Sequence, residues 1–438
     1  MRAAFITLGC KVNQYETAVL ERLFEADGFV LTPPEQEADV YVVNSCTVTA
    51  TSDKKTRQTV RHCKRLHPGA VVALTGCFAQ AFPAEAAALP EADVITGTAN
   101  RAALLPAVRQ ALAGRGRVMD LVPHRPGEPF EPMQADRFPE RTRAFVKIED
   151  GCEQYCAYCI IPHARGPVRS KPLTELRTEL AALAAAGHRE VVLSGINLPC
   201  YGRDLGLRLL DAVQCAASVD GIDRVRLGSL EPELLSEREA EAMAACGKLC
   251  PQFHLSLQSG CDATLRRMGR RYTTAEYAGQ AALLRRYFPG AALTTDVMVG
   301  FPGEDEAEFA ASLAFVASLE FARVHVFAYS RRAGTPAAVL PGQVPAAEKN
   351  ARSRRMLETV ARSRQAFLQK QVGRVEPVLF ESEQGGVWEG CTANYTPVRV
   401  ESDEALAGRL LPVRIEAVRG DGCTGRLETD TRNTAIEI

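Results

Sequence analysis

The sequence of 438 residues lacks three features that would place it in a specialised class. No apolar stretch approaches the roughly 18 to 20 residues that a membrane span needs, and polar residues interrupt the N-terminus too early for a signal-peptide core. Charge of one sign is also not in excess, since 52 Lys and Arg face 53 Asp and Glu. We therefore expect a cytoplasmic chain without membrane contact, in which only a local basic patch could bind nucleic acid.

Glycine and proline are too few for a collagen or a largely disordered chain, and the ordinary apolar content can fill several cores. The length predicts about three domains. Cysteine, in contrast, occurs 14 times. Because cytoplasmic thiols stay reduced, these residues are not disulfide staples, and some of them should bind metal or carry out redox chemistry.

Three apolar runs in the first third each lead into a small residue and a cysteine: residues 3–8 before Cys10, 38–44 before Cys46 and 70–75 before Cys77. A fourth run lacks the cysteine, and helical patterns separate all four. Strands that alternate with helices predict a parallel α/β sheet, whose ligand site lies beyond the carboxyl ends of the strands. The three thiols, 36 and 31 residues apart, are therefore predicted to converge at one edge.

The rest of the chain divides by pattern into a linker, a second alternation and a β-rich end. Six apolar runs after residue 143 recur about every 36 residues, which predicts an incomplete barrel of six β-α units with its chemistry at the strand carboxyl ends. A long helix with a basic face ends this part, and short β-like runs follow it. The predicted divisions are a cluster domain at 1–121, a linker at 122–143, a barrel with its trailing helix at 144–372 and a small β-barrel at 373–438.

The strongest local motif is C-x3-C-x2-C, just after the first predicted barrel strand. Cys152, Cys156 and Cys159 can hold three irons of a 4Fe–4S cluster and leave the fourth iron open to chelate S-adenosylmethionine. A structural zinc site is the alternative, but zinc normally takes four ligands and the loop has no fourth. The dispersed Cys10 and its two counterparts carry no spacing motif, so they are either buried packing residues or a second three-thiolate cluster.

Polar or small residues at predicted strand ends of the barrel are candidates for binding the cofactor, with turn chemistry and capping as the alternative. They are Gly195, Asn197, Glu231, Gln258 and Asp296. The basic helix, with eight Lys and Arg in residues 349–374, is a candidate phosphate-contacting surface. The net negative charge of the β-rich end argues against nonspecific electrostatic binding of nucleic acid. Residues 374–438 hold seven Arg, no Lys and twelve Asp or Glu.

The spacing of Cys152, Cys156 and Cys159 closely resembles that of the radical S-adenosylmethionine superfamily, and nearly the whole chain resembles its methylthiotransferases. That resemblance implies an N-terminal cluster domain, a radical barrel and a C-terminal TRAM-like barrel. It also implies that Tyr158 packs near the adenine of the cofactor. Residues 7–16 (TLGCKVNQYE), 44–49 (NSCTVT) and 159–170 look like the enzymes that act on N(6)-threonylcarbamoyladenosine in tRNA.

The resemblance further implies two 4Fe–4S clusters and S-adenosylmethionine as cofactors. One cluster would cleave the cofactor to a radical, and the Cys10, Cys46 and Cys77 cluster would present the inserted sulfur, with methyl from a second S-adenosylmethionine. The implied partners are a tRNA anticodon loop, a one-electron donor such as flavodoxin or ferredoxin, and a sulfur donor. The alternatives are methylthiolation of a ribosomal-protein aspartate, a cobalamin-dependent radical enzyme and a non-catalytic iron–sulfur protein.

Overall fold

The computed structural model describes residues 1–138, 141–232 and 236–428. The last ten residues of the predicted C-terminal barrel domain lie outside the described residues. The described chain forms a parallel sheet, a partial barrel and a small closed barrel, in that order. None of its helices combines the length and the apolar character that crossing a bilayer requires.

The N-terminal sheet has six parallel strands in the order β2-β1-β3-β4-β5-β6. Its strands are β1 (Arg2–Thr7), β2 (Val30–Leu31), β3 (Val40–Ser45), β4 (Val71–Gly76), β5 (Val94–Thr96) and β6 (Val118–Asp120). Its helices are α1 (Lys11–Ala26), α2 (Ala50–Leu66), α3 (Cys77–Ala81), α4 (Pro83–Ala87) and α5 (Leu104–Leu112). Strands β3 and β4 are buried along their whole length, because helices cover both faces of a parallel sheet.

The sheet order explains why distant cysteines meet. Strands β1, β3 and β4 are neighbours, and each leads directly into one of the three predicted cysteine loops. The strand order reverses between β1 and β3, the position at which open α/β sheets bind their ligands. The predicted convergence is thus confirmed at the level of topology.

The central barrel begins with β7 (Arg143–Lys147) and ends with β15 (Arg323–Ala328). Its other strands are β10 (Glu190–Ser194), β11 (Arg224–Leu227), β12 (Ser229–Leu230), β13 (Gln252–Leu255) and β14 (Ala292–Val299), with the short pair β8 (Glu149–Asp150) and β9 (Arg169–Ser170) beside them. Its helices are α6 (Ile161–Arg165), α7 (Leu173–Ala185), α8 (Leu209–Ala217), α9 (Glu237–Ala244), α10 (Asp262–Arg267), α11 (Thr274–Tyr287) and α12 (Glu306–Ser318).

The barrel sheet is parallel and changes partner at Gly228. Strand β11 pairs with β10 before this residue, and β12 pairs with β13 after it, so that Gly228 links a sheet of three strands to a sheet of four. The alternation of side chains fixes an outer and an inner face. Phe253 and Leu255 of β13 pack in the apolar core under the helices, which leaves His254 on the inner face.

The basic helix, α13 (Ala346–Gln369), packs along the barrel, and much of its charge is engaged within the chain. Arg352 is buried and pairs with Glu304, while Arg364 donates to the carbonyls of Ala322 and Asp421. Several other cations pair with glutamates or donate to a carbonyl. The helix therefore offers less free positive charge than its sequence indicates.

The C-terminal barrel has five strands: β16 (Val375–Gln384), β17 (Val387–Thr392), β18 (Pro397–Glu401), β19 (Leu410–Arg419) and β20 (Gly422–Leu427). It closes the N-terminal end of the central barrel. Tyr395, just before β18, lies under the guanidinium groups of Arg143 and Arg226, at 4.9 and 4.6 Å from its ring centre. The predicted small β-barrel is confirmed in the described residues.

Candidate functional site

The C-x3-C-x2-C motif lies on the loop between β8 and α6, at the carboxyl end of β7. Arg270 donates to the Cys156 sulfur at 3.4 Å, and the amide of Asn197 lies 3.8 Å from the Cys152 sulfur. Burial raises the pKa of Cys152 to about 11 and that of Cys159 to about 12, with the neighbouring thiols adding to both shifts. Each thiol therefore becomes a thiolate readily only when a metal or another cation pairs with it.

The second cysteine site joins the N-terminal sheet to the barrel. Arg165, the last residue of α6, donates its Nε hydrogen to the Cys77 sulfur at 3.3 Å. Burial raises the pKa of Cys77 to about 12, opposed by the charge of Arg165, while Cys46 and Cys10 act on it as like charges. The three sequence-predicted thiols thus lie within electrostatic reach of one another, and the charge of Arg165 acts on Cys77 and Cys10.

Both cysteine sets fit the iron–sulfur clusters that the sequence predicts. All fourteen cysteines are free, so no thiol of either set is consumed by a disulfide. Cys10 is exposed, whereas Cys46 and Cys77 are buried. Gly9 allows the loop after β1 to lie close to Cys46, since a Cβ at Gly9 would lie 2.8 Å from Cys46 Cβ. Its φ of +116° also favours glycine.

Asn13 fixes the loops that carry two of these cysteines. Its amide donates to the carbonyls of Leu8 and Ser45 at 3.1 and 2.9 Å. Its oxygen accepts from Arg165 at 2.9 Å and from the Cys10 thiol at 3.3 Å. One buried side chain therefore sets the spacing of the β1 and β3 loops, which carry Cys10 and Cys46.

A buried network of charges connects the two cysteine sites and fixes their relative position. Arg165 bonds Glu16 of α1 at 2.5 Å and Asp150 of β8 at 3.2 Å, and Arg101 and Lys147 pair with the same two carboxylates. Burial opposes ionisation of Glu16, but Arg101, Arg165 and Lys147 outweigh it and lower its pKa to about 2. The network is ionised and spans both halves of the site.

A second arginine, Arg332, binds the N-terminal domain on the side of α2. Arg332, which follows β15, bonds both Asp53 of α2 and the hydroxyl of Thr47. Thr47 directly follows Cys46, so this contact fixes a cysteine loop from the barrel side. Sequence reasoning missed Arg165, Arg270 and Arg332, because arginines scattered through loops carry no spacing motif.

Replacing Arg165 with methionine is expected to lower the free energy of unfolding of the metal-free protein by about 3 to 5 kcal/mol. Glu16 and Asp150 would then remain buried with fewer cations around them. Urea unfolding followed by circular dichroism measures the change. Arg165→Lys should recover only part of it, because an ammonium cannot present the planar fork that reaches Cys77, Asn13 and Glu16 together.

Arg22→Met is the matched control for this prediction. Arg22 makes an ion pair with Asp136 at 2.9 Å, but both side chains are nearly half exposed. Such surface pairs contribute about 1 kcal/mol or less. Equal losses from Arg165→Met and Arg22→Met would contradict a structural role for the buried network.

Among the candidate cofactor-binding residues, Tyr158, Glu231 and Asn197 lie around the C-x3-C-x2-C loop. Tyr158 packs edge-on against Phe301 at 6.4 Å, and the charge of Arg270 acts on its hydroxyl. Glu231 pairs with Arg270, and it also lines a cavity of about 490 Å³. Asn197 keeps a buried side-chain oxygen without a hydrogen bond among the described residues. The structure places these three residues beside the cysteine loop.

The loop after β10 is shaped by a carboxyl group that the sequence did not single out. Glu149 accepts the backbone N–H groups of Ile196 and Asn197, both at 2.7 Å, and burial raises its pKa to about 8. A Cβ at Gly195 would lie 2.5 Å from Glu149 Oε2. Gly195 therefore makes room for Glu149 at this point.

The last two candidates, Gln258 and Asp296, lie at different levels of the barrel. Gln258 lies past the end of β13, with φ of +65°, and its backbone bonds to Asp296 and Met298 of β14. Asp296 lies in the middle of β14 rather than at its carboxyl end. It therefore faces the barrel interior, where its Oδ2 lies 3.4 Å from His254 Nε2. The expectation of a strand-end position was wrong for Asp296, because β14 continues to Val299.

Comparison with known proteins matches both parts of this site. Residues 2–97 match the uncharacterized protein family UPF0004, and residues 146–316 match the radical SAM superfamily. The threonylcarbamoyladenosine tRNA methylthiotransferase MtaB of Bacillus subtilis is 37% identical, over 94% of this chain and 93% of its own. The tRNA-2-methylthio-N(6)-dimethylallyladenosine synthase of Pelotomaculum thermopropionicum is 32% identical, over 96% of each chain.

Among solved structures, the radical S-adenosylmethionine methyltransferase TsrM of Kitasatospora setae has a similar fold. Its TM-score is 0.56 at 16% identity, and the match covers 77% of this chain and 74% of the other. This likeness concerns the fold, a sheet followed by a barrel. The identity to the methylthiotransferases extends over nearly the whole chain and includes both cysteine-bearing parts. The chain belongs to the methylthiotransferase family of radical S-adenosylmethionine enzymes.

Proposed function

We propose that this enzyme converts N(6)-threonylcarbamoyladenosine at position 37 of tRNA, next to the anticodon, to its 2-methylthio derivative. The observation that carries the proposal is the pair of three-cysteine sites, joined through Arg165 and the buried charges around it. The relative from Bacillus subtilis, named for this reaction, is similar over the full arrangement. The target base lies in a single-stranded loop, so it can enter the barrel without the melting of a duplex.

Each cysteine set would hold one 4Fe–4S cluster, with Cys152, Cys156 and Cys159 on one and Cys10, Cys46 and Cys77 on the other. When bound, the clusters and S-adenosylmethionine supply the electron, the radical, the sulfur and the methyl group. Arg270 and Arg165 donate hydrogen bonds to a sulfur of each set. Such donors stabilise thiolates, and the burial of both arginines limits the access of water.

The residues around Cys152 would form the S-adenosylmethionine site. Asn197 offers a buried side-chain oxygen that has no hydrogen bond within the described part of the chain, and Glu231 holds Arg270 against Cys156 while facing the neighbouring cavity. Tyr158 offers an aromatic edge for the adenine. Gly195 and Gln258 would contribute through the backbone of the strand-end loops, and Asp296 belongs to the barrel interior instead.

The reaction also needs partners that bring electrons and sulfur. A flavodoxin or ferredoxin would reduce the cluster of Cys152, Cys156 and Cys159, and a sulfur donor would restore the cluster at Cys10, Cys46 and Cys77. Phosphate contacts fit the exposed cations of α2, which include Lys54, Lys55 and Arg65. With a tRNA substrate, the reaction would take place in the cytoplasm.

Deletion of the gene is expected to remove 2-methylthio-N(6)-threonylcarbamoyladenosine from cellular tRNA and to accumulate its unmethylthiolated precursor. Mass spectrometry of tRNA nucleosides from the deletion strain and its parent measures both species. Restoration by the wild-type gene, but not by a Cys46→Ala gene, is the control. An unchanged nucleoside profile would contradict the proposal, and ribosomal-protein peptide masses would then test methylthiolation of an aspartate.

A further inference from the structure

The barrel interior contains a polar cluster that the cofactor sites do not use. His254 of β13, Asp296 of β14 and His325 of β15 each place one side-chain nitrogen or oxygen within 4.8 Å of the others. Strand pairing aligns Asp296 with His325, and alternation turns all three toward the interior. We call these three residues the interior cluster.

One ring nitrogen of this cluster makes no hydrogen bond among the described residues. His254 Nδ1 lies 3.1 Å from the hydroxyl of Thr294, which orients the ring. His254 Nε2 is buried and makes no hydrogen bond within the described residues, although Asp296 lies 3.4 Å away. Buried polar atoms of this kind are rare in folded proteins and point to a missing partner.

Lys11 lies within electrostatic reach of the same interior. It directly follows Cys10, and the charges of Arg143, Arg226 and Glu190 act on it from the barrel strands. It also acts on His325 of the interior cluster. The arginines are already paired, Arg143 with Glu381 and Arg226 with Glu190.

Lys11, in contrast, is exposed and makes no hydrogen bond or ion pair within the described residues. An unpaired ammonium surrounded by other cations favours the binding of an anion. The interior therefore presents a cation and a hydrogen-bonding cluster next to the thiol that ends the β1 loop.

The N6 substituents named for two relatives of this chain, threonylcarbamoyl and dimethylallyl, differ in charge and polarity. A threonylcarbamoyl group carries a carboxylate, a hydroxyl and a ureido group, whereas a dimethylallyl group is a hydrocarbon. Covering Lys11 and His254 with a hydrocarbon would leave two polar groups unpaired, which is costly. A carboxylate, however, forms a charge-assisted hydrogen bond with an ammonium.

We propose that Lys11 and the interior cluster select the threonylcarbamoyl substituent, with the threonine carboxylate on Lys11 and the uncharged hydroxyl or ureido groups on His254. The inference rests on the proposed function and names the residues that make it specific. Asp296 would repel a carboxylate, which explains why the anion lies at Lys11 and the neutral groups at the cluster. Lys11 is a binding residue here, and the sulfur and iron chemistry does not require it.

Two imidazoles and a carboxylate are also a ligand set for a divalent transition metal. The surrounding charge decides against that use, since Lys11 adds positive charge to the space that the cluster faces. Metal analysis of the purified protein tests this directly. A stoichiometric metal other than iron that is lost on His254→Gln would overturn the proposal.

The decisive experiment compares two anticodon stem-loop RNAs in the cluster-reconstituted, full-length enzyme. One carries N(6)-threonylcarbamoyladenosine, and the other carries the same nucleoside with its threonine carboxylate converted to a carboxamide. We expect kcat/KM for methylthiolation of the acid to exceed that of the amide by about 10- to 100-fold in the wild type. Lys11→Met should abolish this preference mainly through KM, and Lys11→Arg should retain it.

The experiment distinguishes a failure of this inference from a failure of the proposed function. If the wild type methylthiolates the acid and Lys11→Met keeps the preference for it, the inference is overturned while the proposed function stands. If Lys11→Met loses iron or changes the visible spectrum of the clusters, Lys11 serves the cluster instead and the inference is also overturned. If the wild type cleaves S-adenosylmethionine but modifies neither RNA, the proposed function fails, and the inference fails with it.

Discussion

Cys156→Ala is expected to reduce the formation of 5′-deoxyadenosine from S-adenosylmethionine to below detection. Cys156 is one of three thiols on the loop after β8, and its sulfur accepts the hydrogen bond from Arg270. Two thiolates cannot hold a four-iron cluster that leaves one iron open for the cofactor. Liquid chromatography of the reduced, anaerobically reconstituted protein with S-adenosylmethionine measures the product, and iron analysis should show about half of the wild-type content.

Cys246→Ala is the control for the radical site. Cys246 lies just after α9, is partly buried, and its thiol donates to the carbonyl of Ala242 at 3.3 Å. The Cys246→Ala variant should retain the iron content of the wild type and its rate of 5′-deoxyadenosine formation. Continued formation of 5′-deoxyadenosine by Cys156→Ala would show that the C-x3-C-x2-C loop does not carry the radical chemistry.

Cys46→Ala is expected to have the opposite profile. It should retain the cleavage of S-adenosylmethionine with reductant, yet methylthiolation of the tRNA should fall below detection. Cys46 lies next to Gly9 and close to Cys10 and Cys77, away from the C-x3-C-x2-C loop in sequence and on a different sheet. Parallel assays of 5′-deoxyadenosine and of modified nucleosides on one preparation separate the two effects.

The matched control for Cys46→Ala is Cys63→Ala, a buried thiol on α2 of the same sheet layer. Cys63 packs in the apolar core and should be dispensable for sulfur insertion. Methylthiolation that survives in Cys46→Ala would refute the division of labour between the two cysteine sets. Loss of both activities would indicate that the two sites are coupled through the Arg165 network.

Local sequence was sufficient for the elements that carry the chemistry. The apolar runs before Cys10, Cys46 and Cys77 became β1, β3 and β4 within two residues of the predicted bounds. Parallel strands end at the same edge of a sheet, so convergence followed from the alternation of strands and helices. The C-x3-C-x2-C spacing is local too, and it predicted its site directly.

The strand-end rule was less reliable inside the barrel. It found Asn197 and Glu231, which lie beside the cysteine loop, but it assigned Asp296 to the wrong place. The sequence shows where an apolar run lies, yet a polar residue inside a strand looks the same as one that ends it. Hydrogen bonding to the neighbouring strand decides between the two, and that partner is distant in sequence.

The sequence by itself determined the strands, the cysteine triads and the family, because periodicity and spacing are local properties of the chain. Tertiary structure alone decided how the two cysteine sites are joined. Arg165 reaches Glu16 and Cys77, respectively 149 and 88 residues away, and Lys11 lies within electrostatic reach of Arg143 and His325 on the barrel strands. These contacts depend on the burial and pairing of charges from distant segments, which arise only once the sheet and the barrel pack together.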